Sequence, residues 1–161
     1  MNNYIGPKHL KATLKNKERI EKLMNKKSLS TLKKELQEVF NTFIRLRDTQ
    51  YSNGTAFFVC ISCDKPKDLS QMNAGHFHPV GSNESIRYDE DNTHGQCIGC
   101  NLHKHGNPRE YERNLIKRIG KERFDLLEIK RHNLSKMMSF ECEYLIQEYK
   151  DKIEQLKAKR K

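Results

Sequence analysis

The stretch Gln96-Cys97-Ile98-Gly99-Cys100-Asn101, read together with Cys60-Ile61-Ser62-Cys63, decides the fold of this chain. Each Cys-x-x-Cys pair spaces its thiols so that one tight turn aims both sulfurs at a single ion. Two such turns complete the tetrahedron of a closed structural zinc site. About 33 residues separate the pairs, more than a minimal zinc ribbon needs, so the metal is expected to pin the base of a long loop. Within that loop stands Asn73-Ala74-Gly75-His76-Phe77-His78, and the second pair runs directly into Asn101 and His105.

Two disulfides are the rival reading of the four thiols. They require an oxidising compartment, whereas the chain opens Met1-Asn2-Asn3-Tyr4-Ile5 and turns basic without an apolar signal segment. The expectation is therefore a Zn²⁺ held by Cys60, Cys63, Cys97 and Cys100, in a cytoplasmic protein. The fifth cysteine, Cys142, lies on an apolar helical stripe and reads as packing.

The chain has 161 residues, 35% apolar and 32% charged, which is one domain's worth with a modest core. No run approaches the roughly 18 apolar residues of a membrane span, and the mean hydropathy is −0.93. A formal charge of +10 and a pI near 9.4 favour a polyanionic partner, and nucleic acid is the commonest.

Residues 1–30 read as a basic helical arm, and 31–161 as the zinc-stabilised domain with C-terminal helices. Ser28 or Ser30 caps a helix whose Leu32, Leu36, Val39, Phe40, Phe43 and Leu46 recur at helical spacing, ending near Asp48. Tyr51-Ser52-Asn53-Gly54 is a turn, and Ala56 to Val59 a strand that delivers Cys60. Strands are expected at 74–79 and 85–88, joined through Gly81-Ser82-Asn83 as a hairpin with His76 on its first arm. A short helix is expected over 100–105. Asn107-Pro108 opens another that stops at Gly120, a third covers 122–132, and Ser139 caps the last. The last helix has Cys142, Leu145, Ile146, Tyr149, Ile153 and Leu156 on one face, either packed back on the domain or forming a homodimer seam. The fold class is α+β.

Phosphodiester hydrolysis needs a base to activate water and a cation near the departing oxygen. His76 is the leading base. Asn101 and His105, four apart on the expected helix, face the same way and are candidates for holding a divalent ion. Asn92, ahead of the second pair, is placed to brace the loop through its amide. His78 and Arg87 are further candidates, for assisting His76 and neutralising a phosphate, with an exposed strand histidine and a surface ion pair as their rivals. Lys104 and the arm lysines would grip the DNA backbone without sequence preference. Of the seven histidines, His94, His103 and His132 read as structural.

The order of His76, Asn92 and Asn101 on a zinc-knuckle scaffold resembles the HNH, or ββα-metal, endonucleases. More narrowly, Phe40-Asn-Thr-Phe-Ile-Arg-Leu-Arg-Asp48, Ala74-Gly-His-Phe77, Ile86-Arg-Tyr-Asp-Glu-Asp-Asn-Thr-His94 and the two cysteine pairs resemble the phage NinG/Rap recombination nucleases. The resemblance implies a zinc-knotted HNH-like core and structure-selective cutting of branched DNA such as Holliday junctions and D-loops. It also implies His76 as general base, Asn101 and His105 as ligands of a catalytic Mg²⁺ or Mn²⁺, and Asn92 as brace. Many HNH enzymes carry an acidic metal ligand just before the catalytic histidine, where this chain has Gly75. A non-catalytic, zinc-containing DNA-binding protein is the alternative.

Overall fold

The computed structural model describes residues 15–16 and 27–160. The basic arm assigned to 1–30 therefore falls largely outside the described residues. Among the described residues, no helix is long and apolar enough to cross a membrane.

Helix α1 spans Leu29–Asp48. Ser28 caps it, its hydroxyl accepting from Thr31 N at 3.2 Å. The stripe read from sequence is the buried face, with Leu32, Leu36, Phe40 and Phe43 in the core beside Ile44. Helix α5, Ser139–Ala158, lies along α1 and closes that core with Cys142, Ile146, Tyr149 and Ile153. Its apolar face is thus covered from within the chain. The expected cap Ser139 is the first residue of this helix, and Met138 holds the cap position, its N donating to Glu141 Oε2 at 2.6 Å.

Strands β1 (Thr49–Ser52), β2 (Thr55–Val59) and β3 (Pro66–Asp68) form an antiparallel sheet in that order. Asn53 and Gly54, both at positive φ, make the tight turn between the first two. A second, two-stranded antiparallel sheet pairs β4 (Met72–His76) with β5 (Thr93–Cys97). Helix α2 (Ile98–Asn101) follows β5 directly and packs on both strands, giving strand, strand and helix in succession. Helices α3 (Pro108–Ile119) and α4 (Lys121–Lys130) meet at Gly120, whose φ of +83° permits the sharp bend. They bury Tyr111, Leu115, Phe124 and Leu127 against Ile61 and Ile86. The architecture is α+β.

Two further expectations are corrected. The hairpin partner of β4 is Thr93–Cys97, and residues 85–88 are not a strand: Glu84–Ile86 is a 3-10 turn that buries Ile86 among the α3 and α4 side chains. The short helix stops at Asn101 instead of reaching His105. Gly106 N closes its end by donating to Cys100 O at 3.0 Å and Asn101 O at 3.1 Å, while His105 takes φ +48°.

Candidate functional site

The four cysteines converge although two pairs of segments supply them. Strand β2 delivers Cys60, a turn closed by Asp64 N donating to Cys60 O at 2.9 Å brings Cys63 round, and β5 with α2 supplies Cys97 and Cys100. Their sulfurs all lie within 4.8 Å of one another, and Cys63 Sγ is 4.0 Å from Cys97 Sγ. A tetrahedral ion with bonds near 2.3 Å sets sulfur–sulfur edges of about 3.8 Å, so the donor set fits Zn²⁺. Cys97 N also donates to Cys60 Sγ at 3.3 Å, the kind of contact that stabilises a thiolate. No other group of three or more such ligands is found among the described residues.

Above this knot, β4 carries His76 to the loop end of the hairpin, opposite Thr93. Its Nε2 lies 3.0 Å from Arg87 O. A carbonyl only accepts, so Nε2 carries the proton and Nδ1 keeps its lone pair. Burial, with Phe40 at 6.4 Å between ring centroids, pushes the imidazole below its ordinary pKa and outweighs the carbonyl contact that favours protonation. His76 is therefore neutral near pH 7 and oriented.

Asn92 is fully buried and holds the long loop between the strands. Its Oδ1 accepts from His78 N at 2.8 Å, and its Nδ2 donates to His78 O at 3.2 Å and Ile86 O at 3.1 Å. His78 is itself buried, with Nε2 2.6 Å from Glu128 Oε1. Arg87 is engaged by other side chains. Its Nε donates to Gln37 Oε1 at 2.8 Å and its guanidinium pairs with Glu84 at 3.3 Å.

The second group of predicted residues is more dispersed. Asn101 is half-buried at the knuckle end of the hairpin, while His103, Lys104 and His105 are exposed in the turn beyond it. Cys97, where α2 starts, pairs with Met72, four residues from the His76–Thr93 pair, so the two hairpin ends stand roughly 13 Å apart. No hydrogen bond joins His76 to Asn101 among the described residues. The described His, Cys, Asp and Glu side chains thus form no cage for a hard divalent ion, and Asn101 contributes a half-buried amide at the knuckle end.

Gly75 explains the departure at the position before His76. A Cβ there would stand 2.7 Å from Gln96 Cβ. Gln96 is in turn fixed, its Nε2 donating to Ser62 Oγ at 2.6 Å and Gly106 O at 2.5 Å, and Tyr111 Oη donates to Gly75 O at 2.8 Å. The space that an acidic ligand would need is filled by a buried amide.

Sequence reading missed Arg47 and Asp48 as an edge cover for β5. Arg47 donates to Thr93 O at 2.8 Å and Glu90 O at 3.0 Å, and Asp48 Oδ2 accepts from Gly95 N at 2.6 Å. Burial works to raise the Asp48 pKa and is the largest single influence, but the hydrogen bonds and charge of Arg47 together with Gly95 N outweigh it and hold the carboxyl below the ordinary range. The only sequence signal was the Arg-Asp dipeptide closing α1.

The profile of the family described as Bacteriophage Lambda NinG protein matches residues 7–159. The chain belongs to the NinG family. Protein ninG of Escherichia phage 933W is 36% identical over 127 residues, covering 79% of this chain and 59% of that protein. Protein ninG of Escherichia phage lambda is likewise 36% identical over 127 residues, covering 79% and 58%. Protein ninG of Enterobacteria phage H19B is 38% identical over 109 residues, covering 68% and 50%. This NinG-family chain thus spans a little over half the length of the first two relatives. No solved structure matches it.

Proposed function

We propose that this NinG-family chain is an endonuclease of the HNH type, cutting branched DNA recombination intermediates such as Holliday junctions and D-loops. The observation that carries the reading is the state of His76: neutral, its Nε2–H tied to Arg87 O, and Nδ1 left as a base at the open end of a hairpin whose other end is clasped by four sulfurs. The strand, strand and helix order and the Asn92 brace support it, as does the net charge of +10.

In this mechanism His76 Nδ1 takes a proton from water. The hydroxide attacks phosphorus and the P–O3′ bond breaks. A solvent proton completes the 3′ hydroxyl, leaving a 5′ phosphate on the other product. The reaction is expected to need Mg²⁺ or Mn²⁺. Such an ion would be held mainly by water and phosphate oxygens, as Mg²⁺ commonly is, with Asn101 as the candidate protein ligand.

The test is cleavage of a labelled four-way junction and an unbranched duplex with Mg²⁺ or Mn²⁺. The wild type is expected to cut the junction preferentially, and His76→Ala to lose at least ~10²-fold in rate while still binding. Undiminished cutting by His76→Ala rejects the assigned base. Two observations favour a second reading, a zinc-containing DNA-binding protein without catalysis: Gln96 occupies the space beside Gly75, and His105 lies beyond the helix. Tight junction binding with no product under either ion supports that alternative.

A further inference from the structure

A cleft of about 420 Å³ opens along the outer edge of β5. The end of α1 (Arg47, Asp48), the loop before β5 (Glu90, Asp91), His94, and the α3–α4 junction (Arg118, Arg123) form its walls. It is separate from His76. Side chains alternate along a strand, so His94 projects from the face opposite Thr93, the cross-strand partner of His76.

The cleft has unused donors. His94 is 3% exposed, and among the described residues its buried Nδ1 has no hydrogen-bond partner. Among the described residues, Arg118, with five N–H groups, has one polar partner, Asp48 Oδ2 at 3.6 Å. That oxygen already serves Gly95 N at 2.6 Å and Arg47 at 3.2 Å. Arg47 is committed to Asp48 and two carbonyls, so it supplies charge and little else. Arg123 pairs with Asp91, with Nε 3.1 Å from Oδ2, at an exposed position. Glu90 is held by Lys152 at 2.9 Å. With Lys152 included, four cations surround three carboxylates.

A metal cation is the wrong occupant. The guanidiniums repel it, and no group of three ligands outside the cysteines forms among the described residues. Burial and the nearby Arg47 charge press His94 down to about 3, so it meets an anion as a neutral imidazole donating one N–H.

We infer that this cleft anchors a nucleic-acid backbone phosphodiester through Arg118, Arg123 and an imidazole N–H of His94, away from the bond that is cut. The inference rests on the DNA-acting reading above for the source of the phosphate. A single anchor on the far face of the hairpin would fix how a branched DNA lies across the protein while carrying no sequence information.

Two arms test it. In the first, junction binding is followed by fluorescence anisotropy in EDTA across a salt series, for wild type, Arg118→Gln and Arg123→Gln. Both side chains are partly exposed, and thermal melts check the fold of each variant. Each variant is expected to bind several-fold more weakly, with the slope of log K against log salt reduced by about 0.9 for one lost phosphate contact. Unchanged affinity and slope in both overturn the anchor. In the second arm, the His94 ring signals are followed by NMR with dimethyl phosphate, inorganic phosphate and a short DNA duplex. Saturable shifts with the diester and the duplex support the inference; shifts with inorganic phosphate alone assign the cleft to a free phosphate and overturn it. Loss of cutting in His76→Ala beside normal binding in both arginine variants removes the anchor but not the nuclease. Weakened binding in Arg118→Gln beside normal cutting in His76→Ala does the reverse.

Discussion

Gly75 shows how one residue sets what the site can be. In a strand, glycine usually weakens packing, yet here it lets Gln96 cross to the opposite strand and reach Ser62 and Gly106. Because the nearest obstruction includes Gln96 Cβ, a part of the side chain close to the backbone, a methyl group cannot be absorbed by a rotamer change. Gly75→Ala is expected to destabilise the domain by about 1–3 kcal/mol through overpacking, read as a melting temperature lowered by several degrees. An unchanged melting temperature would show that Gln96 moves freely. Asn92 was legible at this scale, since its position ahead of the second cysteine pair marked it as a loop brace, and it makes three amide hydrogen bonds there. His94 was not. It gains its surroundings from α1, the preceding loop, α3 and α4, four segments that no local spacing connects.

Among the elements, the long helices were legible because their stripes are buried as read: Leu32, Leu36 and Phe40 on α1, Cys142, Ile146 and Tyr149 on α5. Strand β5 was hidden because Thr93, His94, Gly95 and Gln96 carry no apolar alternation, although every residue from Thr93 to Cys97 is buried. Its backbone groups are satisfied from a distance, by Arg47, Asp48 and Ile61 N donating to Gly95 O at 3.0 Å. By contrast Ile86 and Tyr88 mimic a strand, while Asn92 and the α3–α4 core draw that segment into a turn. Among the described residues, the cysteines belong to a small cluster with Phe58, Met72 and the half-buried Leu69, so the strands lean on the metal, whereas α1 and α5 have their own apolar core. Stripping zinc with a chelator, or Cys97→Ser, is therefore expected to release β2, β4 and β5 before α1 and α5. Hydrogen exchange should show lost protection at 55–59, 72–76 and 93–97 with most protection at 32–44 retained. Uniform protection after metal removal would contradict the structural role of the four thiolates.

At the scale of the whole molecule, the zinc knot, the Asn92-braced loop and the α1 core act together on one imidazole. The knot closes the base of the hairpin, the brace shapes its open end, and Phe40 on α1 desolvates His76. The proposed chemistry follows from that combination, and so does its pH dependence. A base whose pKa lies below 6.5 is already deprotonated at neutral pH, so the rate should rise with pH only through an acidic inflection and then level. The measurement is the single-turnover rate of junction cleavage against pH, for wild type and His76→Ala, at saturating Mg²⁺ or Mn²⁺. The account predicts a wild-type inflection below pH 6.5 and a flat, much slower profile for His76→Ala; matching profiles and rates for the two proteins would contradict it.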